Sequence, residues 1–137
     1  MTDVHTVATR SYNMSRIKSK NTKPEILVRQ FLRSQGIRFG VNHNKLPGKP
    51  DLALRKQQTA IFVNGCFWHG HTGCKYFVIP KTRTNWWITK ISGNKFNDRA
   101  KRRKLRKLGW KVIIIWECEL RFRKKEKTLS RLLSELK

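Results

Sequence analysis

The chain has 137 residues, with 32 lysines and arginines against 8 aspartates and glutamates, a formal net charge of +24 at pH 7. That length sustains one hydrophobic core and no second domain, and a hydrophobic content of 38% with 5 Trp and 7 Phe excludes a disordered basic tail. No apolar run approaches the roughly 20 residues of a membrane helix, and the start, MTDVHTVATR, lacks a signal peptide's apolar stretch, so a soluble, intracellular protein with a polyanionic partner is expected.

Residues 1–21 read as a basic N-terminal arm. Met14 and Ile17 stand there at helical spacing among Arg10, Arg16, Lys18 and Lys20, a short amphipathic helix suited to closing over a ligand. Thr22-Lys23-Pro24-Glu25 has capping-box spacing with a proline in the first turn. Ile26, Leu27, Phe31 and Leu32 supply the apolar face of the helix it starts, and Gly36 ends it. Ile37 to Val41 alternates as a half-buried strand does, Pro47-Gly48 marks a turn, and Leu52–Leu54 and Ala60–Val63 read as strands paired around Arg55–Thr59. From Asn64 to Thr84 the pattern gives way to Gly, His, Cys, Pro and aromatics, a functional loop rather than a core element. A helix from about Asn85 is expected to break near Ser92-Gly93, resume through Phe96, Ala100, Leu105 and Leu108, and stop at Gly109. Val112–Trp116 is continuously apolar and is expected at the centre of the sheet, and Thr128–Leu136 closes the chain as a short helix. This order predicts an α/β fold, a single domain with a central mixed β-sheet flanked by helices.

Chemistry concentrates in the loop. Cys66-x4-His71-x2-Cys74 places three ligands within nine residues, and Cys118 just past the apolar strand would complete a closed Cys3His tetrahedron for a structural Zn2+. The alternative is three inert buried thiols. His69 competes with His71 as ligand; if His71 takes the zinc, His69 is left for proton transfer. Among the few acids, Asp51 follows Pro50 at a strand start whose neighbour leads into the loop, where a carboxylate can hold Mg2+ against a phosphate. Asp51 also reads as a turn residue capping Gly48-Lys49, and Glu25 as the partner of Thr22 in its capping box. Phe67-Trp68 and Trp86-Trp87, flanked by Lys81, Arg83, Lys90 and Lys95, suit wedges that unstack a base step while the cations hold phosphates. A satellite hydrophobic cluster under the loop is the other reading, and the preferred one for Trp86. Lys101 to Lys107 carries six cations in seven residues, which repel unless a polyanion such as nucleic acid answers them.

These residues fall into motifs that closely resemble the very-short-patch-repair endonucleases, bacterial DNA mismatch nickases: ATRSxNM at Ala8–Met14, LPGKPD at Leu46–Asp51, GCFWHxH at Gly65–His71, PxTRTxxW at Pro80–Trp87 and GWxVxxxWEC at Gly109–Cys118. The resemblance implies a restriction-endonuclease-like core and cleavage of one strand of double-stranded DNA 5′ to the thymine of a T·G mismatch, the lesion left by 5-methylcytosine deamination. It implies Asp51 as the carboxylate for catalytic Mg2+, Val63 as a further ligand through its carbonyl, His69 as general acid/base, Glu25 as a supporting carboxylate and Asp98 as an acid near the site. Cys66, His71, Cys74 and Cys118 match the structural Zn2+ ligands, with Gly73 as an extra loop residue. Phe67, Trp68 and Trp87 match intercalating aromatics, Arg83 and Lys90 lie among the DNA-binding residues, and Met14 and Ile17 belong to the arm that closes on the opposite groove. Mismatch-repair proteins and a repair polymerase are the implied partners of a monomer at the nucleoid in the bacterial cytoplasm. The chain departs from the pattern at Val63-Asn64, where the family carries Thr-His. Valine still offers a carbonyl, but Asn64 can hydrogen-bond a water without taking its proton. Two other functions fit the composition: a non-catalytic, zinc-stabilised nucleic-acid-binding module, and a restriction-type nuclease with a different target.

Overall fold

A computed structural model describes residues 22–41 and 46–136. Thr22 is the N-cap of helix α1 (Lys23–Ser34), its hydroxyl accepting from the Glu25 N–H, with Pro24 in the first turn. Val28 and Leu32 on α1 are fully buried, and Glu25 and Arg29 share that face at helical spacing. Gly36, at φ +71°, donates to the Arg33 carbonyl, and Ile37 N–H closes onto Leu32, a C-terminal stop of the kind a glycine permits.

Four strands follow in the order β1-β2-β3-β4: β1 (Gly40–Val41), β2 (Leu52–Leu54), β3 (Thr59–Asn64) and β4 (Lys111–Trp116). The first two pairings are antiparallel and β3 pairs with β4 in parallel, so the sheet is mixed as predicted. Helix α2 (Thr84–Lys107) supplies the crossover between β3 and β4, a 3-10 turn (Glu117–Leu120) follows β4, and α3 (Lys124–Leu136) ends the described chain. The core lies between the sheet and helices α1 and α3: Val28, Leu32, Leu52, Leu54, Ile61, Val63, Ile113, Ile115, Leu120, Leu129 and Leu132. Burying each such side chain stabilises by about 1.5–3 kcal/mol. Helix α2 packs on β4 outside this cluster, with Ile91 and Leu105 buried.

Three expectations are corrected. Ile37–Val41 contributes only Gly40–Val41 as strand; Ile37 and Phe39 pack against the core from irregular backbone, so their alternation reflects burial rather than pairing. The helix does not break at Ser92-Gly93. An interior glycine costs about 1 kcal/mol, and side chains flanking Gly93, buried Ile91 two residues before it and Asn94 directly after it, hold α2 to the body. Finally, β4 is at the sheet's edge, not its centre. Its unbroken apolar run arises because Ile113 and Ile115 enter the core while Val112, Ile114 and Trp116 are half-buried on the other face.

Candidate active site and metal centre

The parallel pairing of β3 with β4 sets the site. Asn64 stands opposite Trp116 at the last rung, so Cys66 and Cys118 each lie two residues beyond a strand end, on adjacent chains leaving the sheet together. The Cys118 N–H donates to Cys66 Sγ at 3.3 Å, and Cys118 Sγ lies 3.4 Å from His71 Nδ1. Backbone bonds from His71 N to the Cys66 carbonyl and from Cys74 N to the His71 carbonyl fold the loop so that the ligand atoms of Cys66, His71, Cys74 and Cys118 all lie within 4.8 Å of one another. With Zn–S near 2.3 Å, a tetrahedral site needs sulfurs about 3.8 Å apart, so this group fits a closed metal centre. Trp116 stacks on the His71 ring at 4.0 Å and 4°. Glu119 accepts from the Trp116 N–H at 3.0 Å, fixing the turn that carries Cys118. Burial pushes the Cys66 thiol up to about 12, so a metal has to displace its proton.

Asp51 stands just before β2. Its Oδ2 accepts from the Val63 N–H of β3 at 2.7 Å, which ties the carboxylate to the rung next to Asn64. Burial raises its pKa from 3.8 to about 6; the Val63 hydrogen bond opposes the rise, Glu25 adds to it by repulsion, and the charges of His69 and Arg29 moderate it. Glu25 is 2% exposed and holds Arg29 at 3.2 Å one helical turn along α1. Its carboxylate also accepts the Thr22 hydroxyl at 3.3 Å, so one residue serves the helix start and contributes charge to the carboxylate group around Asp51. Asn64 is buried, 4% exposed.

His69 occupies the turn between the zinc-type ligands, its N–H on the Gly65 carbonyl. Its Nδ1 is 2.7 Å from Asp98 Oδ2 of α2. A carboxylate accepts, so this contact places the proton on Nδ1 and leaves Nε2 as the basic nitrogen. His71 is therefore the histidine of the cysteine cluster, while His69 is turned to an acid. Helix α2 grips the same loop through Asn94 Nδ2 to the Trp68 carbonyl (2.8 Å) and Lys95 Nζ to Thr72 Oγ1 (3.3 Å). A cavity of about 240 Å3 beside His69 and Asp98 is lined also by Lys95, Arg99, Arg102 and Trp116.

Phe67, Trp68 and Trp87 pack edge-on or tilted, with ring centroids 5.3–5.8 Å apart. Trp86 does not sit beneath the loop as expected. It is 47% exposed, edge-on to Trp87 and 5.0 Å from the guanidinium of Arg83, which precedes α2 in a left-handed conformation. Lys90 is exposed on α2. Met14 and Ile17 lie outside the described residues. Sequence reasoning missed Arg29, Asn94 and Trp116, and read Lys95 as a phosphate-holding cation without its contact to Thr72. The signal for Asn94 and Lys95 was their position on one helical face with Ile91 and Asp98.

A family model described as DNA mismatch endonuclease Vsr matches residues 2–75. The type II nicking enzyme V.NmeAIP of Neisseria meningitidis is 46% identical over 138 residues, spanning 100% of this chain and 98% of that protein. The DNA mismatch endonuclease Vsr of Escherichia coli is 45% identical over 125 residues, 91% of this chain and 80% of that protein. The type II nicking enzyme V.XorIIP of Xanthomonas oryzae is 43% identical over 120 residues, 88% of each chain. These relatives are endonucleases, and so is this chain. It belongs to the DNA mismatch endonuclease Vsr family, and its mixed sheet agrees with the restriction-endonuclease-like core expected there. Among the described residues no helix is long and apolar enough to cross a membrane.

Proposed function

We propose that the chain nicks one strand of duplex DNA 5′ to the thymine of a T·G mismatch, starting very-short-patch repair by Mg2+-dependent phosphodiester hydrolysis, with Zn2+ as a structural ion. The observation that carries the reading is a histidine oriented by a carboxylate, His69 on Asp98, in the loop that leaves β3, the strand whose Val63 N–H holds a second carboxylate, Asp51.

Asp51 commits one oxygen to the Val63 N–H, and its carboxylate together with the Val63 carbonyl would hold the cation. Mg2+ held there supplies positive charge to the reacting phosphate and acidifies water. His69 Nε2 takes the proton of the attacking water while Asp98 holds the ring and stabilises the resulting imidazolium. The water oxygen bonds to phosphorus as the bond to O3′ breaks, leaving a 3′-hydroxyl, protonated from solvent, and a 5′-phosphate. Buried Asn64 donates a hydrogen bond to this assembly but moves no proton. Cys66, His71, Cys74 and Cys118 hold Zn2+ and thereby keep the His69 turn in place. Phe67, Trp68 and Trp87 enter the step beside the mismatch, Arg83 and Lys90 hold phosphates, and the 1–21 arm with Met14 and Ile17 closes the opposite groove on a single endonuclease domain. A monomer suffices for an asymmetric lesion. The reading places it in the bacterial cytoplasm on nucleoid DNA, handing its product to a repair polymerase beside mismatch-repair proteins.

The test is a strand-resolved assay with Mg2+ on a T·G duplex and its T·A counterpart, with Asp51→Ala as control. One cut 5′ to the mispaired thymine, absent from the control, is the expected result. Tight binding without cleavage would instead mark a zinc-stabilised binding module, and cleavage of both strands of paired DNA a restriction-type nuclease.

A further inference from the structure

The fold sorts the cations of α2 into different environments. Leu105 is fully buried and fixes the rotation of the helix, and the aliphatic stem of Lys101 lies against Gly48, where an added Cβ would come within 2.6 Å of it. Arg99, Arg102, Arg103, Arg106 and Lys107 instead line one open groove of about 440 Å3. Among the described residues no carboxylate pairs with any of these five. Three pairs in this set, Arg99 with Arg103, Arg102 with Arg106 and Arg103 with Lys107, are like charges spaced i,i+4, each of which destabilises an isolated helix by about 0.2–0.5 kcal/mol. The dipole at the helix C-terminus favours cations within the last turn only, which accounts for Arg106 and Lys107 but not for the rest. Arg99 and Arg102 also line the His69–Asp98 cavity, so the two concavities share a wall and form one continuous cationic path.

We infer that this half of α2 is a phosphate-backbone track, which leads away from the His69 cavity and holds the duplex flanking the reaction site on one side only. The inference rests on the proposal that the chain acts on duplex DNA, and deepens it by making the footprint asymmetric. From Asp98 to Lys107 the helix advances about 14 Å, the axial length of about four nucleotides of one strand. The occupant is the DNA backbone: a second copy of a chain with net charge +24 would be repelled, and neither an acidic nor a hydrophobic residue lines the groove.

Fluorescence anisotropy of the full chain, titrated with salt, tests this on mismatched duplexes extended on the left flank, the right flank or neither. Extension on one flank alone is expected to tighten binding. R103Q/R106Q/K107Q should lose that increment and lower the slope of log K against log salt by about 2–3. K124Q/K125Q/K127Q, which removes the same charge from exposed positions of α3, should keep the increment. Equal loss in both triple variants, or an unchanged slope in the first, would overturn the track and leave a solvated helix face. A wild-type chain that nicks mismatched DNA without flank dependence would overturn the track alone; one that neither binds nor nicks would overturn the underlying reading as well.

Discussion

Asp51 is held between opposing electrostatic influences. Burial and the neighbouring Glu25 disfavour its charge, and the Val63 N–H recovers part of that cost. The folded chain therefore binds the Asp51 proton more tightly than the unfolded chain does. Its contribution to stability is present below the unfolded pKa of 3.8, is lost as pH rises through about 6, and is flat above that. Asp51→Asn removes the charge while keeping an acceptor for Val63. At pH 8 it should raise unfolding free energy by up to about 3 kcal/mol, a gain that shrinks toward pH 4 in paired urea titrations, while nicking is abolished. Loss of stability at pH 8 would show that the ionised carboxylate is well accommodated. At His69 the expectation is opposite in kind. His69→Ala should lower single-turnover nicking by about 10^2–10^4-fold with DNA affinity retained, and Asp98→Ala should lose part of the same factor, because the 2.7 Å contact orients the ring.

At the scale of elements, the loop between β3 and α2 has little core of its own and is held from outside. The Cys66–His71–Cys74–Cys118 group gathers one side at the end of β4, and Asn94, Lys95 and Asp98 pin the other to α2. Gly70 lies between these anchors at φ +61°, where a Cβ would meet the Lys95 side chain and come within 2.6 Å of Ile91 Cγ2. Gly70→Ala should cost about 1–3 kcal/mol in thermal melts and reduce nicking with it, since the displaced residue adjoins His69. If this group holds the proposed Zn2+, chelation should release the loop: one Zn2+ per chain by elemental analysis, a lower melting temperature in chelator, and lost nicking that Mg2+ alone does not restore. Cys118→Ser should mimic chelation.

The sequence disclosed this arrangement unevenly. Cys66, His71 and Cys74 were legible from local spacing, and Cys118 from its place after an apolar strand, because two adjacent parallel strands bring their exits together. The contact of His69 with Asp98, 29 residues away, has no local signature. Glu25 with Arg29 has the spacing of an ordinary surface ion pair, and only burial distinguishes it. Nor does hydropathy separate an edge strand covered on both faces from a central one, which is why β4 was misplaced.

For the whole molecule, a net charge of +24 favours any duplex, an attraction that should fall steeply with salt without reading sequence. Discrimination has to come from a term that differs between mismatched and paired steps. Under the proposed function the cluster of Phe67, Trp68 and Trp87 would supply one, because inserting a ring costs less where stacking is already weakened. The two terms should separate by mutation. Phe67→Ala or Trp68→Ala should retain wild-type salt dependence on paired DNA yet reduce the T·G over T·A preference about tenfold, corresponding to a loss of about 1–3 kcal/mol of stacking. The experiment is a competition titration at two salt concentrations, with circular dichroism checking the fold, since these rings also pack on each other. If preference survives both substitutions while salt dependence changes, the aromatics are packing rather than a wedge, and mismatch selection then has to lie in the basic arm or in the reacting site itself.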